Sequence, residues 1–155
     1  MKFKYKNQII TASSKVEAIK KVMSNSKTTL DETAQEDIFN RARDGDKSIL
    51  KLPKEDLMIK DSDWWTPIHF LAWEGVKEIL KLHKELLMVK NKYGNTPVHS
   101  FAHAFELGNI SVSDIEEILK LPRDILRIKN DKGETPITIL SDKGIKIPEK
   151  FKDLI

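Results

Sequence analysis

The chain has 155 residues and a mass of 17.8 kDa, enough for one domain of ordinary size or a short stack of repeats. With 39% hydrophobic against 33% charged residues it is too apolar to stay disordered, and the absence of cysteine excludes disulfides, thiolate metal sites and a cysteine nucleophile. The net charge is only +3, and 23 of the 27 basic residues are Lys, so a nucleic-acid binder would need its charge segregated and has few bidentate phosphate forks to offer. The start, Met1 to Lys6, lacks an apolar signal core, and no run approaches the roughly 18 apolar residues of a membrane span. The expectation is an intracellular, cytoplasmic protein.

In chain order, Phe3 and Tyr5 alternate with lysines, Lys6-Asn7-Gln8 offers a turn, and Ile9 to Ala12 offers a return, which predicts a small hairpin. Ser14-Lys15-Val16-Glu17 is a capping box opening a helix with Val16, Ile19 and Met23 on one side, and Ser24 to Thr29 reads as a linker. A lone hairpin is barely stable, so residues 1–30 are expected to dock on a repeat domain formed by residues 31–155.

Beyond the linker the chain repeats itself. Ile49 to Asp61 (ILKLPKEDLMIKD), Ile79 to Asn91 (ILKLHKELLMVKN) and Ile118 to Asn130 (ILKLPRDILRIKN) align without gaps, with six of 13 columns identical. A second block comes after each: Thr66-Pro67-Ile68-His69, Thr96-Pro97-Val98-His99 and Thr135-Pro136-Ile137-Thr138. The offset is 30 residues, then 39, with the extra nine around Phe105 to Ser113. Thr before Pro is a helix start, since the hydroxyl caps free N–H groups and Pro at the first position gives up no bond. The helix it opens runs Pro67 to Glu74, with Ile68, Leu71 and Ala72 on one stripe, and Gly75 ends it. A second short helix passes through Val76, Ile79 and Leu80; Leu86 to Asn91 reads as extended and leads into a turn at Lys92-Tyr93-Gly94-Asn95. One such unit cannot bury its own apolar face, so copies must stack.

Asn91-Lys92-Tyr93-Gly94-Asn95-Thr96-Pro97-Val98-His99 resembles the ankyrin repeat, whose turn and helix start run D-x-x-G-x-T-P-L-H, and Leu71-Ala72-Trp73-Glu74-Gly75 is like that family's A-A-x-x-G. The resemblance covers about residues 34 to 148. It implies a mainly α fold, a short ankyrin-like helical solenoid of three to four units with the N-terminal hairpin and helix as an add-on. Ala34 to Gly45 looks like a degenerate first helix with Asp46 to Asp56 as its partner, and Ile145 to Ile155 would close the stack. Three features depart from the family. The period is 30 rather than 33. Trp64 stands at the turn's Gly position, so that turn is expected to take another shape. The nine-residue insert is expected to project or to lengthen the first helix, and to be removable, with Ser113-x-x-Glu116 as the capping box that restarts the second helix.

His69 and His99 share one repeat column. A residue copied in every unit reads as scaffold, and the resemblance implies a buried His that joins neighbouring turns. His99 and His103 lie four apart on one helix and could share a metal, but no third ligand is near. No G-x-G-x-x-G, Walker A or G-x-S-x-G motif is present, so no enzyme and no cofactor is expected. Lys51, Lys81 and Lys120 share a column, as do Lys60, Lys90 and Lys129. They form either a solvated face or basic ladders for a nucleic acid or polyanion, the alternative function. The resemblance places partner contacts at the variable turn positions and just before the helix-ending Gly, which selects Trp65, Trp73, Glu74, Tyr93, Asn95, His103, Lys132 and Glu134. Trp and Tyr dominate interface hot spots. The expected function is therefore non-catalytic recognition of a protein partner through the concave turn and first-helix face, by a monomer or weak homo-oligomer. Trp65, Trp73 and Tyr93 are expected to line one continuous face and to be removable without loss of stability; the opposing reading has Trp65 folded against Trp64 or Trp73.

Overall fold

The structure, a computed structural model, describes residues 30–155; the hairpin, helix and linker expected over residues 1–29 lie outside the described residues. The unit Glu32–Ile155 is mainly α, and among its described residues there is no strand. Helix α1 (Glu32–Arg43) is followed by a 3₁₀-helix, Lys47–Lys51, and the four-residue α2 (Lys54–Leu57). The next unit repeats this with α3 (Pro67–Trp73), a 3₁₀-helix at Lys77–Lys81 and α4 (Lys84–Leu87). The third has α5 (Pro97–Ala104), α6 (Val112–Leu119) and α7 (Arg123–Leu126), and the last has α8 (Pro136–Asp142) and a 3₁₀-helix at Glu149–Leu154. The first helices stack in chain order, α1 on α3, α3 on α5, α5 on α8.

Local chemistry places the helix starts. Thr66, Thr96 and Thr135 are extended and the following Pro takes the first helical position. Gly75 closes α3 at φ 77, where any other residue would be strained. Ala42, Ala72 and Ala102 share one column and are wholly buried, letting first helices approach closely while Ile68, Leu71, Val98, Phe101, Ile137 and Leu140 fill the seams.

Four expectations are corrected. Leu86 and Leu87 are not extended: both are buried on the short helix Lys84–Leu87, which begins after the kink at His83. The first turn keeps the shape of the others, because Trp64 itself adopts the left-handed conformation (φ 63) that Gly94 and Gly133 adopt in the next two. The second helix of the third unit restarts two residues earlier than Ser113, at a Ser111–Asp114 capping box in which Asp114 accepts the Ser111 N–H at 2.8 Å. The insert does not merely project. The first-helix turn runs on through Phe105 to Gly108, the second element becomes the eight-residue α6, and Ile110 between them is buried. The segment Ile145 to Ile155 packs with Ile147, Phe151 and Leu154 inward. No helix among the described residues is long and apolar enough to cross a membrane.

Candidate functional site

The turns hold the surface in register. In each, the side-chain oxygen of Asp61, Asn91 or Asn130 accepts two N–H groups of its own turn, those of Asp63 and Trp65, Tyr93 and Asn95, or Lys132 and Glu134, at 2.9–3.1 Å. Neighbouring turns are joined through the backbone, Lys92 N–H to Asp63 O at 2.9 Å and Asp131 N–H to Tyr93 O at 3.1 Å. His69 and His99 add the second tie. Each Nδ1 accepts the N–H of its own N-cap, Thr66 or Thr96, at 3.1 Å, so each Nε2 carries the proton and donates to the next turn, to Asn95 O at 2.9 Å and Glu134 O at 3.0 Å. The imidazole thus serves as the return arm of a capping box, the place usually held by Glu or Gln. Burial holds both imidazoles well below the ordinary value, down to about 4. Both nitrogens of His99 are engaged in hydrogen bonds, and no cluster of three His, Asp or Glu suited to a metal occurs among the described residues.

On the first helices an aromatic row runs across the stack. The Trp65 ring lies against Phe70 (5.1 Å between centroids, stacked) and meets Trp73 edge-on at 6.0 Å and His69 at 5.7 Å. Trp73 continues to His103 at 6.1 Å, and Phe70 continues to Phe39 at 6.0 Å. The Arg43 guanidinium caps that end, 4.7 Å from the Phe70 centroid and 5.7 Å from Phe39. Trp65, Phe70, Trp73 and His103 are each half-buried. Burial lowers the His103 pKa, and the Lys143–Glu106 ion pair (2.6 Å) flanks that end.

The selected residues divide. Trp65, Trp73 and His103 come together in this row. Glu74 is exposed one position past α3, and Lys132 is exposed on its turn. Tyr93 is 54% exposed on the next turn and makes no ring contact with the row. Asn95 and Glu134 are part-exposed and also serve the turns: the Asn130 amide donates to Asn95 Oδ1 and to Glu134 Oε2, both at 2.9 Å. Trp65 is part-exposed, and because its ring also lies against His69 and Phe70 its removal is expected to cost stability. Phe39, Phe70 and Arg43 were missed. The 30-residue offset carries the signal for two of them, for it places Phe39 in the column of His69 and Arg43 in the column of Trp73 and His103.

Of the second-element column Lys51, Lys81 and Lys120, only Lys120 is ion-paired, while Lys51 and Lys81 are exposed with no ion pair among the described residues. Two groups of lysines differ in the same way. Lys47, Lys54, Lys77, Lys84 and Lys120, on the short second elements, face Glu78, Glu85, Asp114, Asp124 and Glu117 as ion pairs, mostly between neighbouring units. Lys60, Lys90 and Lys129, at the base of the turns, are exposed, and no carboxylate among the described residues lies within ion-pair distance of them.

No protein-family model matches the chain, and no curated protein matches it. Among solved structures 134 chains match. One belongs to the crystal structure of the yeast ribosomal protein Rps3 in complex with its chaperone Yar1, with a TM-score of 0.50 and 24% identity over 74% of this chain and 87% of that one. The likeness is one of fold.

Proposed function

We propose that the chain is a non-catalytic protein-recognition module of the ankyrin-repeat kind, acting in the cytoplasm, that binds a protein partner through the aromatic row on its first helices. The observation that carries this reading is the row itself: Trp65 meets Phe70 and Trp73 within one unit, Trp73 meets His103 of the next, and all four stay partly exposed. Large aromatics in that state are the usual anchors of interfaces. The T-P-x-H blocks and the stacked helix pairs support the family reading. The solved structure of similar fold is itself a complex between a protein and its chaperone, which is the kind of engagement proposed here. The alternative polyanion binder draws on the columns Lys51, Lys81, Lys120 and Lys60, Lys90, Lys129, of which only Lys120 is ion-paired among the described residues, so a salt series is what separates it from the first reading.

The test is affinity capture from the native cell with wild type and Trp73→Ala in parallel, followed by measured affinity for the captured protein. Trp73→Ala is expected to weaken binding by about 1–2 kcal/mol, roughly five- to thirtyfold. Binding unchanged by Trp73→Ala combined with His103→Ala, in a protein that still melts normally, would remove the row from the interface. Affinity that collapses with salt and is matched by a nucleic acid would favour the polyanion reading.

A further inference from the structure

We propose that the turns carry a second contact surface, built from Trp64 and the lysine row Lys60, Lys90 and Lys129, which binds an acidic, extended peptide segment of a protein partner. It goes beyond the aromatic row and does not depend on it. Two observations meet here. Trp64 is 55% exposed and stands at φ 63, where the equivalent residues of the next two turns are Gly94 and Gly133. The hydrogen-bond pattern of the three turns is the same, Asp61 N–H to Trp65 O repeating as Asn91 to Asn95 and Asn130 to Glu134, so the fold asks for a left-handed residue and glycine would satisfy it. An indole kept in that conformation gains little burial to offset the left-handed cost that glycine would not bear, and strain of this kind collects at contact sites.

The second observation is charge. The three lysines occupy one column of adjacent turns, and the turns are bonded side by side, so the row advances one positive charge per repeat. Lys90 Nζ reaches the Lys129 carbonyl at 2.8 Å, and Lys60 Nζ lies 5.5 Å from the Trp64 ring centroid, which joins the row to the aromatic anchor. A carboxylate on each repeat step is the charge pattern that complements it. Asp63 and Asp131 on the same turns break the positive potential into separate points, which suits spaced carboxylates on a peptide better than the continuous charge of a phosphate backbone. Trp64 at one end fits an apolar residue flanking the acidic run.

The test uses a fluorescein-labelled synthetic peptide of alternating Glu and Ser with one Leu near its end, read by fluorescence anisotropy against the full chain at low salt. Two further probes are the same peptide with Gln for Glu and an oligothymidine of equal charge. The Glu peptide is expected to bind more tightly than both. Trp64→Gly should weaken it at least about fivefold while raising the melting temperature. The triple change Lys60→Gln, Lys90→Gln and Lys129→Gln should weaken it at least about tenfold, whereas Lys47→Gln, Lys54→Gln and Lys84→Gln together, an equal loss of charge on the paired set, should not. The proposal is overturned if the Gln peptide or the oligothymidine binds as tightly, if the two triple variants behave alike, or if Trp64→Gly leaves affinity intact or lowers the melting temperature. Peptide binding and partner capture through Trp73 are read on different probes, so either can fail without the other.

Discussion

His69 and His99 connect a single side chain to the stability of the whole stack. Burial is the first cause that lowers their pKa from 6.5 to about 4, against the raising effect of their carbonyl partners. In the unfolded chain the same imidazole takes up its proton near the ordinary value, so between about pH 6.5 and 4 the unfolded state binds more protons. Stability is therefore full above that window and falls as pH drops through it, by on the order of 3 kcal/mol per imidazole at the lower end. Urea midpoints measured from about pH 7.5 down to 4.5 should decline in this direction. His99→Ala should cost about 1–3 kcal/mol at neutral pH, because the Thr96 N–H and the Glu134 carbonyl lose their partner, and should flatten the pH slope. A slope unchanged in His99→Ala would assign the acid sensitivity elsewhere. Trp64 is the other residue whose cost is local: a left-handed, β-carbon-bearing residue there forfeits roughly 1–2 kcal/mol relative to the glycine of its sister turns.

Among the elements, the helix ends decide how tightly neighbouring units approach. A Cβ on Gly75 would sit 2.3 Å from the Asn109 carbonyl oxygen, and the Asn109 amide donates to the Trp73 carbonyl at 2.9 Å, so α3 ends directly against the insert of the following unit. Gly144 has nearly the same backbone (φ 81) with nothing within 4 Å. Gly144→Ala should cost only the left-handed penalty, about 1 kcal/mol, while Gly75→Ala should cost that plus a clash with backbone, at least about 2–3 kcal/mol. Equal losses in the two variants, compared by chemical denaturation, would mean the Asn109 segment yields freely. The last unit shows the same logic in reverse. Thr138 replaces the column histidine, the Thr135 hydroxyl donates to the Leu154 carbonyl, and the 3₁₀-helix Glu149–Leu154 occupies the place that a neighbouring turn holds elsewhere.

For the whole molecule, the insert is the instructive part, because it changes one unit without breaking the stack. Ile110 is 6% exposed between α5 and α6, so Ile110→Ala should cost about 2–3 kcal/mol by the usual loss on emptying a core site, where a merely projecting loop would lose almost nothing. Thermal melts of that variant measure the difference directly. What the chain determined by itself were its helix starts at Thr-Pro, its helix stop at Gly75, its apolar stripes and the demand that units stack, since each is written within a few residues or repeats at a fixed offset. What tertiary structure alone decided was the state of the surface. The Asn130 amide claims Asn95 and Glu134, Trp65 turns onto Phe70 while Tyr93 stays open, and one lysine set finds carboxylates in the next unit while the other finds none. Some of these contacts join side chains about a repeat apart, as Asn130 to Asn95 and Lys47 to Glu78, and others, as Trp65 on Phe70, join near neighbours, but in both cases spacing fixes only which groups can meet and not which hydrogen bond, ring contact or ion pair wins there.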